Sequence, residues 1–144
     1  MTVAAILKHK GYKVTTVEPA ASIADVVAVL NAERIGAVLV LDRADQLLGV
    51  VSERDIVRSL ALNGARALEM TAGQLMTQAP RTVRPDTTEV EAMRLMTEGR
   101  FRHLPVLDNG RLAGLISIGD VVKARIMQQE TEVDSLKAYV TGSV

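Results

Sequence analysis

The sequence predicts an α/β protein (of the α+β kind), one unit written twice, each unit running strand, helix, strand, strand, helix. Three observations lead there. From Arg100 to Asp120 the chain reads RFRHLPVLDNGRLAGLISIGD, two short apolar strands, His103–Leu107 and Leu112–Ile116, around a turn. That turn, Asp108-Asn109-Gly110, holds residues that tolerate positive φ, as a tight hairpin requires. The same pattern stands earlier as RIGAVLVLDRADQLLGVVSERD, from Arg34 to Asp55. Ser52 and Ser117 lie 65 residues apart, as do Asp55 and Asp120, while Pro19/Pro85 and Arg34/Arg100 lie 66 apart. One extra residue in the first turn, Arg43–Gln46, accounts for the slip. A repeat of this kind decides the fold before any single motif does.

Taken in order, Thr2–His9 predicts a short amphipathic helix stopped by Gly11. Val14–Val17 predicts a brief strand ending at Pro19, which cannot continue a ladder. Ser22 and Asp25 have capping-box spacing, and behind them Ile23, Val26, Val27 and Leu30 form one apolar stripe. After the first hairpin a helix is expected from about Asp55 to Leu62, with Gly64 placed to end it. The linker Ala65–Met76 predicts a helix with Ala67, Met70 and Leu75 toward a core. In the second unit Thr82-Val83 takes the place of the first strand, Thr88 and Glu91 repeat the capping spacing, and Val90, Met93 and Met96 supply the stripe. From Asp120 to about Tyr139 a longer helix carries Val122, Ile126, Val133, Leu136 and Val140, a stripe that needs a partner surface. The divisions are 1–64 for the first unit, 65–78 for the linker helix, 79–125 for the second unit and 126–144 for a C-terminal helical extension and tail. Two such units packed face to face would bury both sheets and leave related clefts between them.

Composition narrows the function classes. Lys plus Arg equals Asp plus Glu at 17 each, so no net field favours nucleic acid or an anionic membrane. Only Tyr12, Phe101 and Tyr139 are aromatic, too few for base-stacking platforms. Without cysteine there is no disulfide framework, thiol nucleophile or zinc–thiolate site, which fits a reducing compartment. The longest apolar run, Ile35–Leu41, is seven residues, far below the roughly 20 a membrane helix needs. A cytoplasmic protein is the expectation.

At this point the residues resemble the cystathionine β-synthase (CBS) domain, and the tandem resembles a CBS pair, or Bateman module. The likeness rests on Val-x-Pro opening each unit, on the Arg-Phe-Arg-His-Leu-Pro-Val-Leu-Asp stretch, and on Gly-x-x-Ser-x-x-Asp closing each unit. That last motif stands here as Gly49 to Asp55 and as Gly114 to Asp120. The resemblance covers roughly residues 2–125. It implies a stand-alone regulatory module with pseudo-twofold symmetry that binds an adenosine-containing ligand and reports it to a partner. AMP stands first among the implied ligands, followed by ATP, NAD(H) or S-adenosylmethionine. No cofactor or metal is required, a homodimer is expected, and the client protein is unknown.

The candidate site residues follow from chemistry and resemblance together. A lone Ser-x-x-Asp is accounted for by capping, Ser accepting the N3 amide and Asp offsetting the helix dipole. The same helix start offers unsatisfied amides to a phosphate, and its carboxylate can accept ribose hydroxyls. Two in-register copies shift the reading to ligand binding at Ser52, Asp55, Ser117 and Asp120. Arg102 and His103 are basic at positions where the family's ligand phosphates sit, whereas their first-unit equivalents, Gly36 and Ala37, offer only room and backbone amides. Arg54, inside the first motif, supplies a further cation, so the clefts should differ in charge. Thr16 and Thr82 match each other at 66 residues, beside a region the family uses for adenine. Catalysis finds little support: His9 and His103 lack a zinc-ligand spacing, and no Gly-x-Ser-x-Gly elbow or P-loop occurs. The rivals are a structural dimerisation module with vestigial clefts and, behind it, a small nucleotide-processing enzyme.

Overall fold

A computed structural model describes residues 1–141. The order is α1 (Val3–Lys10), β1 (Thr16–Val17), α2 (Ile23–Glu33), β2 (Ala37–Leu41), β3 (Leu47–Ser52), α3 (Glu53–Asn63), a 3₁₀ turn (Gly64–Glu69), α4 (Ala72–Leu75), β4 (Thr77–Gln78), α5 (Glu89–Gly99), β5 (His103–Asp108), β6 (Arg111–Ser117) and α6 (Ile118–Thr141). Both hairpins form where the alternating apolar residues and turn signals place them. The first closes through Asp45 and the second through Asn109 and Gly110, all at positive φ.

Strands β1 to β4 make one sheet in that order, and β5 and β6 make a second. The pseudo-symmetry extends to single pairings. Val17 pairs with Val40 in parallel, and Val83 pairs with Val106 in parallel, each second-unit partner 66 residues on. The strand expected at Thr82-Val83 is therefore reduced to this one bridge. The linker's helix is split, into the 3₁₀ turn and the four-residue α4, because Met70 breaks to an extended φ, ψ between them. Ala67 is fully buried as expected, and Met70 and Leu75 pack at the edge of the first core. Sequence reasoning did not foresee β4, whose two exposed residues pair with Gly49 and Val50. A Cβ at Gly49 would lie 2.6 Å from the Thr77 carbonyl, so only glycine lets β4 come this close.

Strand alternation sends side chains to opposite faces, and that builds three cores. Val38, Val40 and Val51 meet Ile23, Val26, Leu30 and Ile56 of α2 and α3. Leu104, Val106 and Ile116 meet α1, α5 and Val121 of α6. On the inner faces Ala37, Leu39 and Val50 pack against Leu112 and Leu115, joining the two sheets. Two expected stripes shift. Val27 is 38% exposed, and Val90 is 63% exposed while Glu89, Ala92 and Met96 are buried. The reason for Glu89 is tertiary: its Oε1 accepts from Arg125 Nη1 of α6 at 2.9 Å. The caps at Ser22 and Thr88 are one-sided, each accepting the N3 amide. Glu91 turns instead to Arg94, forming a surface ion pair.

Candidate functional site

Helix α3 begins directly at the end of β3, and its start is fixed by a complete capping box. Ser52 Oγ accepts the Asp55 amide at 3.3 Å, while Asp55 Oδ2 accepts the Ser52 amide at 2.9 Å and the Ser52 hydroxyl at 3.0 Å. This start opens on a cavity of about 500 Å³ between the two units. Its lining contains Gly36, Ser52, Arg54, Asp55, Arg102 and His103 of the residues expected from sequence. It also contains Thr77, Ala79, Pro80 and Phe101, and three arginines that sequence reasoning missed, Arg58, Arg81 and Arg100. Arg58 was legible in one respect, since it follows Arg54 by four residues and so shares its helix face.

Five arginines face two carboxylates, Glu53 and Asp55, across this space. A chain with no net charge thus concentrates cations at one helix N-terminus, where a dianion gains from the dipole and from guanidinium forks together. Arg54 donates from Nη1 to the Arg100 carbonyl at 3.1 Å, tying α3 of the first unit to the end of α5 in the second. Gly36 keeps the wall thin: a Cβ there would lie 2.7 Å from Glu53 Oε1, the tip of an exposed side chain, and 3.4 Å from the His103 ring. His103 therefore stands in the wall between Gly36 and the second helix start. Burial holds its pKa below the usual value, and the Lys10 and Arg102 charges add to that against the opposing pull of Asp120 and Glu53.

The second helix start has the same cap and different company. Asp120 Oδ2 accepts the Ser117 amide at 2.7 Å, and the Asp120 amide donates to Ser117 Oγ at 3.1 Å. The same Oδ2 also takes Lys10 Nζ at 2.6 Å, and that ammonium donates on to the Leu115 carbonyl at 2.7 Å. Burial pushes the Asp120 carboxyl up, but the Lys10 ammonium and the Ser117 amide outweigh it, leaving the pKa below the ordinary carboxylate value. The two motifs open on different spaces, as two related clefts require. Ser117 and Asp120 lie off the arginine-lined cavity; α1 brings Lys10 onto the second motif, and Asp120 borders a separate hollow between α1 and α6. Thr16, Ala37 and Thr82 also lie off the cavity: Thr16 pairs with Leu39, Ala37 is buried between the sheets, and Thr82 is exposed just past Arg81. Among the described residues no cluster of His, Cys, Asp or Glu is arranged to hold a metal ion, and no helix is long and apolar enough to cross a membrane.

Two α/β units in tandem, joined through their sheets and leaving a cleft at the end of β3, define a paired-repeat α/β module. The chain belongs to the CBS domain family, whose model it matches at residues 4–62 and again at 72–126. It is 35% identical over 122 residues to the mitochondrial CBS domain-containing protein CBSX3 of Arabidopsis thaliana, an alignment covering 82% of this chain and 59% of that protein. Among solved structures it is similar to the CBS-domain containing protein ATU1752 from Agrobacterium tumefaciens, with 46% identity, a TM-score of 0.84, and coverage of 86% of this chain and 92% of that one. It is also similar to the CBS domain protein PAE2072 from Pyrobaculum aerophilum, solved in complex with AMP, with 28% identity, a TM-score of 0.74, and coverage of 83% and 89%.

Proposed function

We propose that this chain is a regulatory module that binds an adenosine nucleotide, AMP first, at the Ser52–Asp55 helix start, and signals its occupancy to a partner protein. The observation that carries the reading is a cavity of nucleotide size in which a helix N-terminus, a carboxylate and five arginines converge. The phosphate goes to the helix start and the guanidinium groups. Asp55 accepts the ribose hydroxyls through the oxygen its cap leaves over, and the apolar lining of Val50, Ala79, Pro80 and Phe101 takes the base. The AMP complex of the Pyrobaculum aerophilum relative supports the choice of ligand. Ser52 Oγ and Asp55 Oδ2 are both committed to the cap, which favours binding over turnover. By bridging the two units through Arg54, Arg102 and His103, a ligand stabilises one arrangement of the units by its differential affinity.

Calorimetric titration of the full chain with AMP, ATP, NADH and S-adenosylmethionine tests this. Saturable binding of AMP at one per chain is expected. Silence across the panel would leave a structural assembly module in its place.

A further inference from the structure

Helix α6 runs 24 residues, about 36 Å, yet only its first turns touch the body. Val121 and Ala124 are buried against α1 and α5, and Arg125 fixes the root by its bond to Glu89. From Gln129 onward almost every side chain is exposed, including Val133 at 50%, Leu136 at 63% and Val140 at 76%. A helix without tertiary packing gains little from propensity alone, so so long a projection asks what covers it.

Its apolar residues follow a heptad. Ile126, Val133 and Val140 recur every seven residues at one core position, and Val122, Gln129 and Leu136 at the other. At 100° per residue this stripe lies roughly 140° round the helix from Val121 and Ala124, on the side away from the body. The flanking charges choose the occupant. In a parallel pair the residue before the Ile126, Val133 and Val140 position faces the residue five further along the partner helix. Arg125 would then face Glu130 of the second copy, and Glu132 would face Lys137, opposite signs on both rungs. An antiparallel pair of the same stripes would set Lys123 against Lys137, Glu130 against Glu130 and Glu132 against Glu132, three repulsive rungs. Within the chain Glu130 and Lys137 have no ion-pair partner among the described residues, and Glu132 takes only a 3.4 Å hydrogen bond from Gln128. Arg125 meets Glu89 through Nη1 and is half exposed, so its other donors can serve a second carboxylate.

We propose that Val122–Val140 pairs with the same segment of a second copy as a parallel two-stranded coiled coil. The β-branched residues at one core position and Leu136 at the other suit two strands, and the polar Gln129 layer sets the register. The pairing holds whether or not the cleft takes a nucleotide.

Sedimentation equilibrium of the full chain tests it. A concentration-dependent dimer is expected, weakened by about tenfold or more in a Val133→Asp, Leu136→Asp variant, since four carboxylates would enter the seam. The melting midpoint of the body should stay put, because neither side chain packs on it. The chain has no cysteine, so Leu136→Cys should yield a disulfide-linked dimer on mild oxidation, whereas Ser135→Cys, facing outward, should not. A wild-type chain that is monomeric at every concentration overturns the proposal. So does a dimer indifferent to the two aspartates, or cross-linking that is as ready from position 135 as from position 136.

Discussion

The two helix starts of this molecule carry one motif and have different surroundings. At the first, Asp55 caps α3 and looks onto open space ringed by arginines; at the second, Asp120 makes the same bond to its own serine amide and is then taken by Lys10. The Ser-x-x-Asp motif therefore fixes a helix cap in both units. Whether that cap is also a ligand site depends on what the rest of the chain brings to it. The helix α1, which opens the first unit ahead of β1, delivers a cation to the second motif, while α5 and the β4 region deliver arginines and a cleft to the first.

The largest effect expected from breaking this contrast comes from the cations. Arg58→Glu with Arg102→Glu should lower AMP affinity by about 100-fold or more, as two charge-assisted contacts are lost and two repulsions replace them. Both side chains are exposed, so circular dichroism and thermal melting should hardly change. Lys10→Met sharpens the contrast from the other side. It should free Asp120 and add a second, weaker binding event in calorimetry, at a stability cost of at most about 1 kcal/mol because the pair is partly exposed. An isotherm identical to wild type would move the difference between the starts away from Lys10.

The smallest effect is a pH slope. With its folded pKa depressed by burial, His103 stays neutral while the unfolded chain takes up a proton near pH 6.5. The unfolded state then binds more protons, so stability should fall as pH drops below about 6.5 and level off beneath the folded value. His103→Gln should flatten that part of the melting-temperature profile. The Asp120 contribution has the other window: it is present above the ordinary carboxylate range and lost as pH falls through the depressed folded value.

Much of the architecture was legible because it is written in local chemistry. The hairpins, the caps at Ser22, Ser52 and Thr88, and the exposed stripe of α6 all follow from spacing within a few residues. What escaped was decided at a distance. Glu89 replaces Val90 on the buried face of α5 because Arg125 lies 36 residues further on. Two-residue strands such as β4 pair through backbone alone and leave no apolar alternation to read. At the site, Gly36, Ser52, Arg54, Asp55, Arg102 and His103 were legible through the repeated motifs they sit in and the family likeness those motifs carry. Arg81 and Arg100 were not, since a surface arginine in a turn or at a helix end looks like any other until a cleft forms beside it. The Lys10–Asp120 contact, spanning 110 residues, had no sequence signal at all.

The most direct measurement is calorimetric AMP titration of Asp55→Ala and Asp120→Ala side by side. Asp55→Ala is expected to lose about 10- to 150-fold in affinity, with a cap-scale stability loss of about 1 kcal/mol, while Asp120→Ala should share the stability loss and keep the affinity. Affinity that survives in Asp55→Ala and collapses in Asp120→Ala would contradict the assignment of the nucleotide to the first helix start.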